Sequence, residues 1–385
     1  MNTKYSVFSL ATLSALGIAA ISPISLSSLI EPVRAGASIS MAPSSVVASG
    51  LNNPRGLSIG PDGAIYVAEA GTGGIGPCGD GPEGPRCYGP TGSITRVDLG
   101  NGATARITTG LPSLATEGMF ATGVHDISFL GKGNAHMTTG FGGHPDGRSV
   151  FGPAARSLAH TVRLRGNGAW VLEQDLGFYE TENNPTGDEV DTNPYGILSL
   201  PGKQVVADAG ANALNQISAN GIISTLAVFP DRMVDAPPFL ELPPGTQIPM
   251  DTVPTSVALG PDGNYYVGQL TGFPFPVDGA YIYRVPAKGG PVEVFATGFT
   301  AVIDVAFGPD GSLYVLELAK NGLLAGFIDN DWSGAVIRLA PDGSRTEIAV
   351  SLFAPGGVTV GGDGAIYVTN NSIFSSIGEV VRIQP

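Results

Sequence analysis

Short runs of alternating apolar and polar residues recur along most of the chain, and they come in pairs around a tight turn. The apolar positions have a period of two, and the turns are Pro-Asp-Gly or Gly-x-Gly, a combination that predicts β-hairpins. The clearest copies share the pattern Gly-Pro-Asp-Gly-x-x-Tyr-Val. The six copies begin at Gly56, Asp126, Gly196, Ser256, Asp304 and Gly357.

Two more strand-forming runs follow each hairpin. In the first copy they are residues 93–98 and 103–108, around Asn101-Gly102. Four antiparallel strands repeated six times predict an all-β fold, a six-bladed β-propeller, over residues 44–385. The last copy lacks a fourth strand, while residues 46–49 form an unused strand before the first copy. We expect this N-terminal strand to close the ring.

The start of the chain has a different composition. Lys4 is followed by an uncharged apolar run at residues 7–21, and Ala35-Gly36-Ala37 supplies small residues for cleavage. This pattern is typical of a secretory signal peptide, here residues 1–37, and an uncleaved anchor is the alternative. We therefore expect an exported protein, periplasmic or extracellular, that is a soluble monomer after cleavage.

The net charge and the two cysteines limit which partners the protein can bind and in which cellular compartment it can work. The 19 Lys and Arg residues against 33 Asp and Glu residues give a net charge of −14, and no basic run is present. Nucleic acid is therefore excluded as a partner. Cys78 and Cys87 lie in a segment rich in glycine and proline, which in an exported chain predicts a disulfide. A redox-active pair would favour the closer Cys-x-x-Cys spacing.

The long insertions all fall in the same two classes of connection. They follow either the second or the fourth strand of a blade, and in a four-stranded meander both classes lie on one face, which we call the loop face. Because insertions tolerated only for surface variability would scatter over both faces, we predict that the loop face carries the function. The insertions are residues 71–92, 140–159, 179–193, 230–253 and 319–333.

Two sets of polar residues are predicted at the mouth of the central axis on this face. One set ends the second strands, and the other begins the first strands. Carboxylate and amide oxygens converging on an axis suit Ca²⁺ or another divalent cation. The candidate metal ligands are Glu69, Asp126, Asp304, Glu317 and Asn370. Equally, polar residues at strand ends can simply satisfy exposed backbone groups.

Proton transfer and aromatic ligand binding have their own candidates on the loop face. His125, Asp126 and Asp304 are the candidate catalytic residues. Residues 269–276 place two phenylalanines beside two prolines, with Phe141, Tyr179 and Phe327 nearby, which suits a flat organic ligand or simply packs the loop. The candidate ligand-binding residues are Arg55, Tyr195, Asp208, Gln269, Phe273 and Phe275. The acidic segment 180–191 could bind Ca²⁺ or form a solvated loop.

Several stretches resemble the ScyD/ScyE family of exported cyanobacterial propellers over essentially the whole mature chain. They are residues 53–57 with 66–71, 193–196 with 206–214, and 254–257 with 272–276. The repeated hairpin resembles the wider group of NHL, TolB-like and strictosidine-synthase or gluconolactonase-like propellers. The resemblance implies a role outside the cytoplasm in making scytonemin, an indole-phenol sunscreen pigment.

The resemblance to the wider propeller group also bears on the candidate divalent-cation site. Its gluconolactonase-like members hold a divalent ion with Glu, Asn and Asp side chains, which Glu69, Asn370, Asp126 and Asp304 could supply here. Their Pro-Asn-Gly ligand motif is replaced by Asn-Pro-Tyr-Gly at residues 193–196. In NHL-type members an acid in the column of Glu69 and Asp208 is structural.

Two hypotheses follow from the sequence. The first is a propeller that handles a small hydrophobic aromatic metabolite, with any catalysis being metal-assisted hydrolysis, lactonase-like, or condensation. The alternative is a non-catalytic propeller that binds an exported pathway protein.

Overall fold

Six sheets, each built on four antiparallel strands, are arranged around one axis. The computed structural model describes residues 38–81, 84–131 and 135–385, so the predicted signal peptide lies outside the described residues. The innermost strands of successive blades contact one another around a closed ring. The predicted six-bladed β-propeller is confirmed.

The elements follow in chain order. The chain begins with β1 (Ser38–Met41) and β2 (Ser44–Leu51). Blade one has β3 (Pro54–Ile59), β4 (Ile65–Glu69), β5 (Cys78–Gly79), β6 (Arg86–Val97), β7 (Thr104–Thr116) and β8 (Met119–Thr122). Blade two has β9 (Val124–Phe129), β10 (Ala135–Thr139), two 3₁₀ helices (Pro145–Phe151 and Pro153–Ser157), β11 (His160–Leu164) and β12 (Trp170–Asp175), followed by α1 (Leu176–Asn183). Blade three has β13 (Pro194–Leu200), β14 (Lys203–Asp208), β15 (Ala213–Ser218) and β16 (Ile223–Val228).

The second half continues in the same way. A connection with β17 (Arg232–Asp235), a 3₁₀ turn (Pro238–Leu240) and β18 (Gln247–Met250) precedes blade four. Blade four has β19 (Pro254–Leu259), β20 (Tyr265–Gln269), β21 (Ala280–Val285) and β22 (Glu293–Phe299). Blade five has β23 (Val302–Phe307), β24 (Leu313–Glu317), α2 (Leu323–Asp329), β25 (Ala335–Leu339) and β26 (Arg345–Ala349). Blade six has β27 (Gly357–Val360), β28 (Ile366–Asn370) and β29 (Gly378–Ile383).

The ring closes through the N-terminal segment, as predicted. Strand β2 pairs antiparallel with β29 and completes blade six, with Val46 opposite Val381. Strand β1 adds a fifth, parallel strand to blade five by pairing with β26. This addition was not predicted, because β1 has only four residues and, although Ser-Ile-Ser-Met alternates, it precedes the predicted propeller of residues 44–385 and lies beside no turn or repeat motif.

The core lies between neighbouring blades. The valine of each Tyr-Val pair in the repeated hairpin is fully buried, at Val67, Val267, Val315 and Val368. Burying one such side chain contributes about 1.5–3 kcal/mol. The repeated motif therefore supplies the core contacts of the propeller.

Blade one departs most from the prediction. Strands β6 and β7 are much longer than residues 93–98 and 103–108, and they continue onto the loop face, where Cys87 pairs with Ala115. The predicted disulfide between Cys78 and Cys87 is present and joins β5 to β6. The glycine-rich sequence hid this extension, because the register shifts around Gly89 and Gly92 break the alternation.

No helix among the described residues is long and apolar enough to cross a membrane.

Candidate functional site

A cavity of about 750 Å³ lies at the mouth of the axis on the loop face. Each of the five predicted insertions contributes lining residues, for example Arg86, Phe141, Asp191, Val253 and Trp332. The insertions therefore lie on one face, as predicted. The volume is within the usual range for a small-molecule site, about 300–1,000 Å³.

Aromatic rings make up much of the wall. They are Phe120, Phe141, Phe151, Phe275, Phe327 and Trp332. Phe327 and Trp332 meet edge to face with centroids 4.7 Å apart, and Phe120 lies 6.1 Å from each of them. Elsewhere in the wall, Phe141 and Phe151 pack edge to face under the Arg86 guanidinium. Such surfaces suit a planar apolar ligand.

Three polar side chains from the innermost strands of blades one to three line the cavity at the axis. They are Arg55, His125 and Tyr195, and we call them the polar floor. Neighbouring blades fix their backbone: the Thr369 hydroxyl donates to the Arg55 carbonyl at 2.8 Å, and the Thr138 hydroxyl donates to the Tyr195 carbonyl. The sequence prediction that these positions meet at the axis agrees with this arrangement.

His125 is held in one orientation. Its Nδ1 donates to the Pro194 carbonyl at 3.1 Å, and its ring lies against Tyr195 with centroids 4.4 Å apart. Gly140 is needed here, because a Cβ at that position would lie 2.0 Å from His125 Cε1. Burial and the Arg55 charge lower the pKa of His125 to about 3. The imidazole is therefore neutral near pH 7, with Nε2 unprotonated.

Arg55 and Tyr195 each have a donor group that meets no acceptor in the described part of the chain. Arg55 is 9% exposed, and its Nη2 donates to the Ala121 carbonyl at 2.7 Å. Its Nε and the Tyr195 hydroxyl are buried, and neither donates to an acceptor within residues 38–81, 84–131 and 135–385. Burial raises the pKa of Tyr195, and the nearby Arg55 charge offsets part of that rise. Tyr195 therefore remains a hydrogen-bond donor at neutral pH.

Asp126 and Asp304 come from blades two and five, which are opposite each other in the ring, and both are partly exposed. The two oxygens of Asp126 accept the backbone N–H groups of Ile127 and Ile197, and those of Asp304 accept the N–H groups of Val305 and Val358. Burial, together with the charge of Asp304, raises the pKa of Asp126, and burial raises the pKa of Asp304 to about 7. The pair clamps neighbouring blades together and holds a proton at neutral pH.

The acids and amides that end the second strands bind within their own blades. Four of them accept a backbone N–H from the segment that enters the first strand of the same blade. The pairs are Glu69 with Asn52 (2.7 Å), Asp208 with Asn193 (2.6 Å), Glu317 with Thr300 (2.9 Å) and Asn370 with Phe353 (2.8 Å). These contacts match the alternative stated in the sequence analysis, in which polar residues at strand ends satisfy exposed backbone groups.

Glu69 shows most clearly that these side chains are already engaged. Its carboxylate also accepts from the hydroxyls of Ser93 and Thr95 and forms an ion pair with Arg106 at 2.8 Å, all on β6 and β7. It therefore points along its blade toward the outer strands.

The structure does not bring the predicted metal ligands Glu69, Asp126, Asp304, Glu317 and Asn370 into one site. Three of them make the within-blade contacts described above, and the two aspartates accept backbone N–H groups with all four oxygens. Within the described parts of the chain, no cluster of three or more Asp, Glu, His or Cys side chains could hold a metal ion. The arrangement of these donors therefore does not fit a Ca²⁺ site at the axis.

The predicted ligand-binding residues divide into two groups. Arg55, Tyr195 and Phe275 line the cavity. Asp208 and Gln269 are bonded to their own blades, the Gln269 oxygen accepting the Tyr281 N–H at 2.9 Å, while Phe273 packs edge to face on Phe275 and Phe239. The sequence predictions missed Phe120, Phe151 and Trp332, whose only sequence signal is that they are aromatic residues in or beside long connections.

Comparisons with known proteins agree on the fold. No protein-family model matches the chain, and no curated protein matches its sequence. A candidate gluconolactonase has a TM-score of 0.51 at 11% identity, covering 89% of this chain and 92% of that one. Regucalcin, a calcium-binding protein from Agrobacterium tumefaciens, has a TM-score of 0.50 at 12% identity, covering 90% and 96%. A protein of unknown function from Bacteroides thetaiotaomicron has a TM-score of 0.52 at 10% identity, covering 90% and 74%. At such identities the similarity shows the propeller fold alone.

Proposed function

We propose that this protein is an exported propeller that binds a small hydrophobic aromatic metabolite in the loop-face cavity. The observation that carries the proposal is the cavity itself, with six apolar aromatic rings in its wall and a polar floor. Aromatic rings offer a planar ligand large contact areas, and the few polar groups fix its orientation. The ScyD/ScyE resemblance adds the context of scytonemin-type pigment synthesis, whose indole and phenol units have this chemistry.

Export is part of the same proposal. The signal-like segment 1–37 provides the sequence support. The Cys78–Cys87 disulfide supports it from the structure, since such bonds persist in oxidising compartments.

His125 is the group best suited to move a proton on a bound ligand. It lines the cavity, its Nδ1–H is engaged by Pro194, and its Nε2 is unprotonated. A positioned neutral imidazole can act as a general base. Asp126 and Asp304 do not line the cavity, so we assign them to holding the strands of the floor in place.

Trp332 gives a direct test of binding, because it is one of only two tryptophans and lines the cavity. In a Trp170→Phe variant, Trp332 is the only tryptophan emitter. We expect 4-nitrobenzoate or 4-nitrobenzamide, which are flat quenchers, to quench this emission saturably. A Trp332→Phe variant that keeps Trp170 on β12 should show no saturable quenching, which makes it the matched control.

Absence of saturable quenching by both probes would contradict the proposal and favour the second candidate, a non-catalytic platform for an exported partner. One observation favours that candidate. The connection before blade four exposes the apolar side chains Met233, Phe239 and Leu242, which are 57%, 52% and 45% exposed. Exposed apolar groups on an insertion are a common feature of protein-binding surfaces.

A further inference from the structure

The polar floor contains a positive charge that forms no direct ion pair within the described part of the chain. Arg55 is buried and donates from Nη2 to the Ala121 carbonyl, while its Nε has no acceptor among the described residues. The ion pairs of the described arginines do not include it. A buried cation without an anion is costly unless a ligand supplies the charge.

A second unpartnered donor lies beside it. The Tyr195 hydroxyl is buried and finds no acceptor in the parts of the chain that the structure describes, and both residues line the same cavity. The two donors can therefore serve one ligand group that has two acceptor oxygens. His125 adds no second positive charge, since its imidazole is neutral and its Nδ1–H is already donated to Pro194.

We propose that the cavity takes an aromatic monocarboxylate, whose carboxylate accepts hydrogen bonds from Arg55 Nε and the Tyr195 hydroxyl while its ring lies among the aromatic side chains. This inference rests on the proposed function and names its ligand class. One fixed cation balances one negative charge, which favours a carboxylate over a phosphate dianion. Arginine is the side chain best suited to a carboxylate, and a charge-assisted hydrogen bond is stronger than a neutral one.

The other charged groups of the cavity do not provide an alternative anion site. Arg86 donates both of its Nη groups to the carbonyls of Phe141 and Gly142. Asp191 accepts the Gly143 N–H at 2.7 Å, and Asp80 is exposed. The net charge of −14 gives the protein no general attraction for anions, so any preference for a carboxylate must arise locally.

The test compares two probes of nearly the same shape, 4-nitrobenzoate and its neutral amide 4-nitrobenzamide, by Trp332 quenching in the Trp170→Phe background and by calorimetry. We expect the carboxylate to bind at least about tenfold more tightly. Arg55→Gln should weaken carboxylate binding by about 10- to 100-fold and change amide binding little. Tyr195→Phe should have the same selectivity with a smaller loss.

Arg163→Gln is the matched control, because it removes the same charge from a residue of β11 that does not line the cavity. It should leave both affinities unchanged. If Arg55→Gln does not fold, Arg55→Lys and the comparison of the two probes on the wild-type protein still test the preference for a carboxylate.

Equal affinity of the two probes for the wild-type protein would overturn the inference while leaving the proposed function intact. An equal loss of affinity for both probes in Arg55→Gln would also overturn the inference, since that pattern indicates a structural role for Arg55. Tighter binding of 4-nitrophenyl phosphate than of 4-nitrobenzoate would contradict the monocarboxylate assignment. Failure of every probe to bind would instead contradict the proposed function itself.

Discussion

The two faces of the propeller are built on different principles. On the face opposite the loops, which we call the plain face, one contact recurs in four blades: the aspartate of the tight turn pairs with an arginine of the third strand. The pairs are Asp62–Arg96, Asp262–Arg284, Asp310–Arg338 and Asp363–Arg382. On the loop face the insertions are all different, and together they form one cavity. Contacts that recur from blade to blade therefore stabilise the ring, whereas insertions that differ between blades form the cavity on the loop face.

The carboxylates of the two faces also differ in their electrostatics. On the plain face, a hydrogen bond from Arg338 lowers the pKa of Asp310 to about 2. On the loop face, burial and the charges of Asp208 and Asp191 raise the pKa of Glu180 to about 8. Burial, with repulsion from Asp231, likewise raises the pKa of Asp251 to about 7. Acids whose surroundings disfavour the charged form cluster at functional sites.

The largest effect should come from Glu69, which joins the floor of the loop face to the outer strands of blade one. Its carboxylate satisfies a backbone N–H, two hydroxyls and Arg106, so Glu69→Ala leaves a buried network without its acceptor. We expect a loss of about 3–5 kcal/mol in the free energy of unfolding, measured by urea denaturation. Glu69→Gln keeps the volume and should lose less.

A small loss of stability in both Glu69 variants, accompanied by loss of stoichiometric Ca²⁺ binding in calorimetry, would contradict this structural role. That outcome would support the metal site first predicted for the axis.

The disulfide should rank second. Replacing Cys78 and Cys87 together by serine removes a cross-link that closes a loop of about ten residues, and the chain-entropy estimate for such a loop is about 3 kcal/mol. Because Gly79, Asp80 and Arg86 line the cavity, probe affinity should fall as well. Both changes can be measured by urea denaturation and Trp332 quenching. If reduction of the wild-type protein with dithiothreitol left stability and affinity unchanged, the cross-link would have no such role.

The regular parts of the fold could be predicted from the sequence, whereas contacts between distant strands and long connections could not. Local alternation and turns predicted the blades, and strand direction predicted that Arg55, His125 and Tyr195 would meet at the axis. The partner of Glu69 could not be predicted, because Arg106 lies 37 positions away on another strand and no spacing rule relates them. Trp332 and Phe120 were missed because the paths of long connections follow no period.

The pH dependence of stability should separate the two faces. The Glu180 pKa is raised in the folded state from an unfolded value near 4.5 to about 8, so its protonated form stabilises the fold at low pH. That contribution is fully present below pH 4.5 and is lost as the pH rises through about 8. We therefore expect stability to fall between about pH 5 and pH 8, and to fall less in Glu180→Gln.

Urea midpoints at the two pH values provide the measurement. The depressed pKa of Asp310 on the plain face adds nothing in this window, so Asp310→Asn should keep the wild-type slope. A Glu180→Gln slope equal to that of the wild type would show that this carboxyl does not titrate as described.

The smallest effect is expected on the plain face. Asp310 is 44% exposed and pairs with Arg338 at 2.7 Å, and exposed pairs of this kind contribute about 0–1 kcal/mol. Asp310→Asn keeps an oxygen for the Ser312 N–H, so the turn should persist and the loss should stay below about 1 kcal/mol. Added salt should reduce the difference further, because exposed charges are screened. Probe affinity in the cavity should not change. A measurable change in that affinity would break the division between the two faces, since it would couple a repeated structural contact to the site.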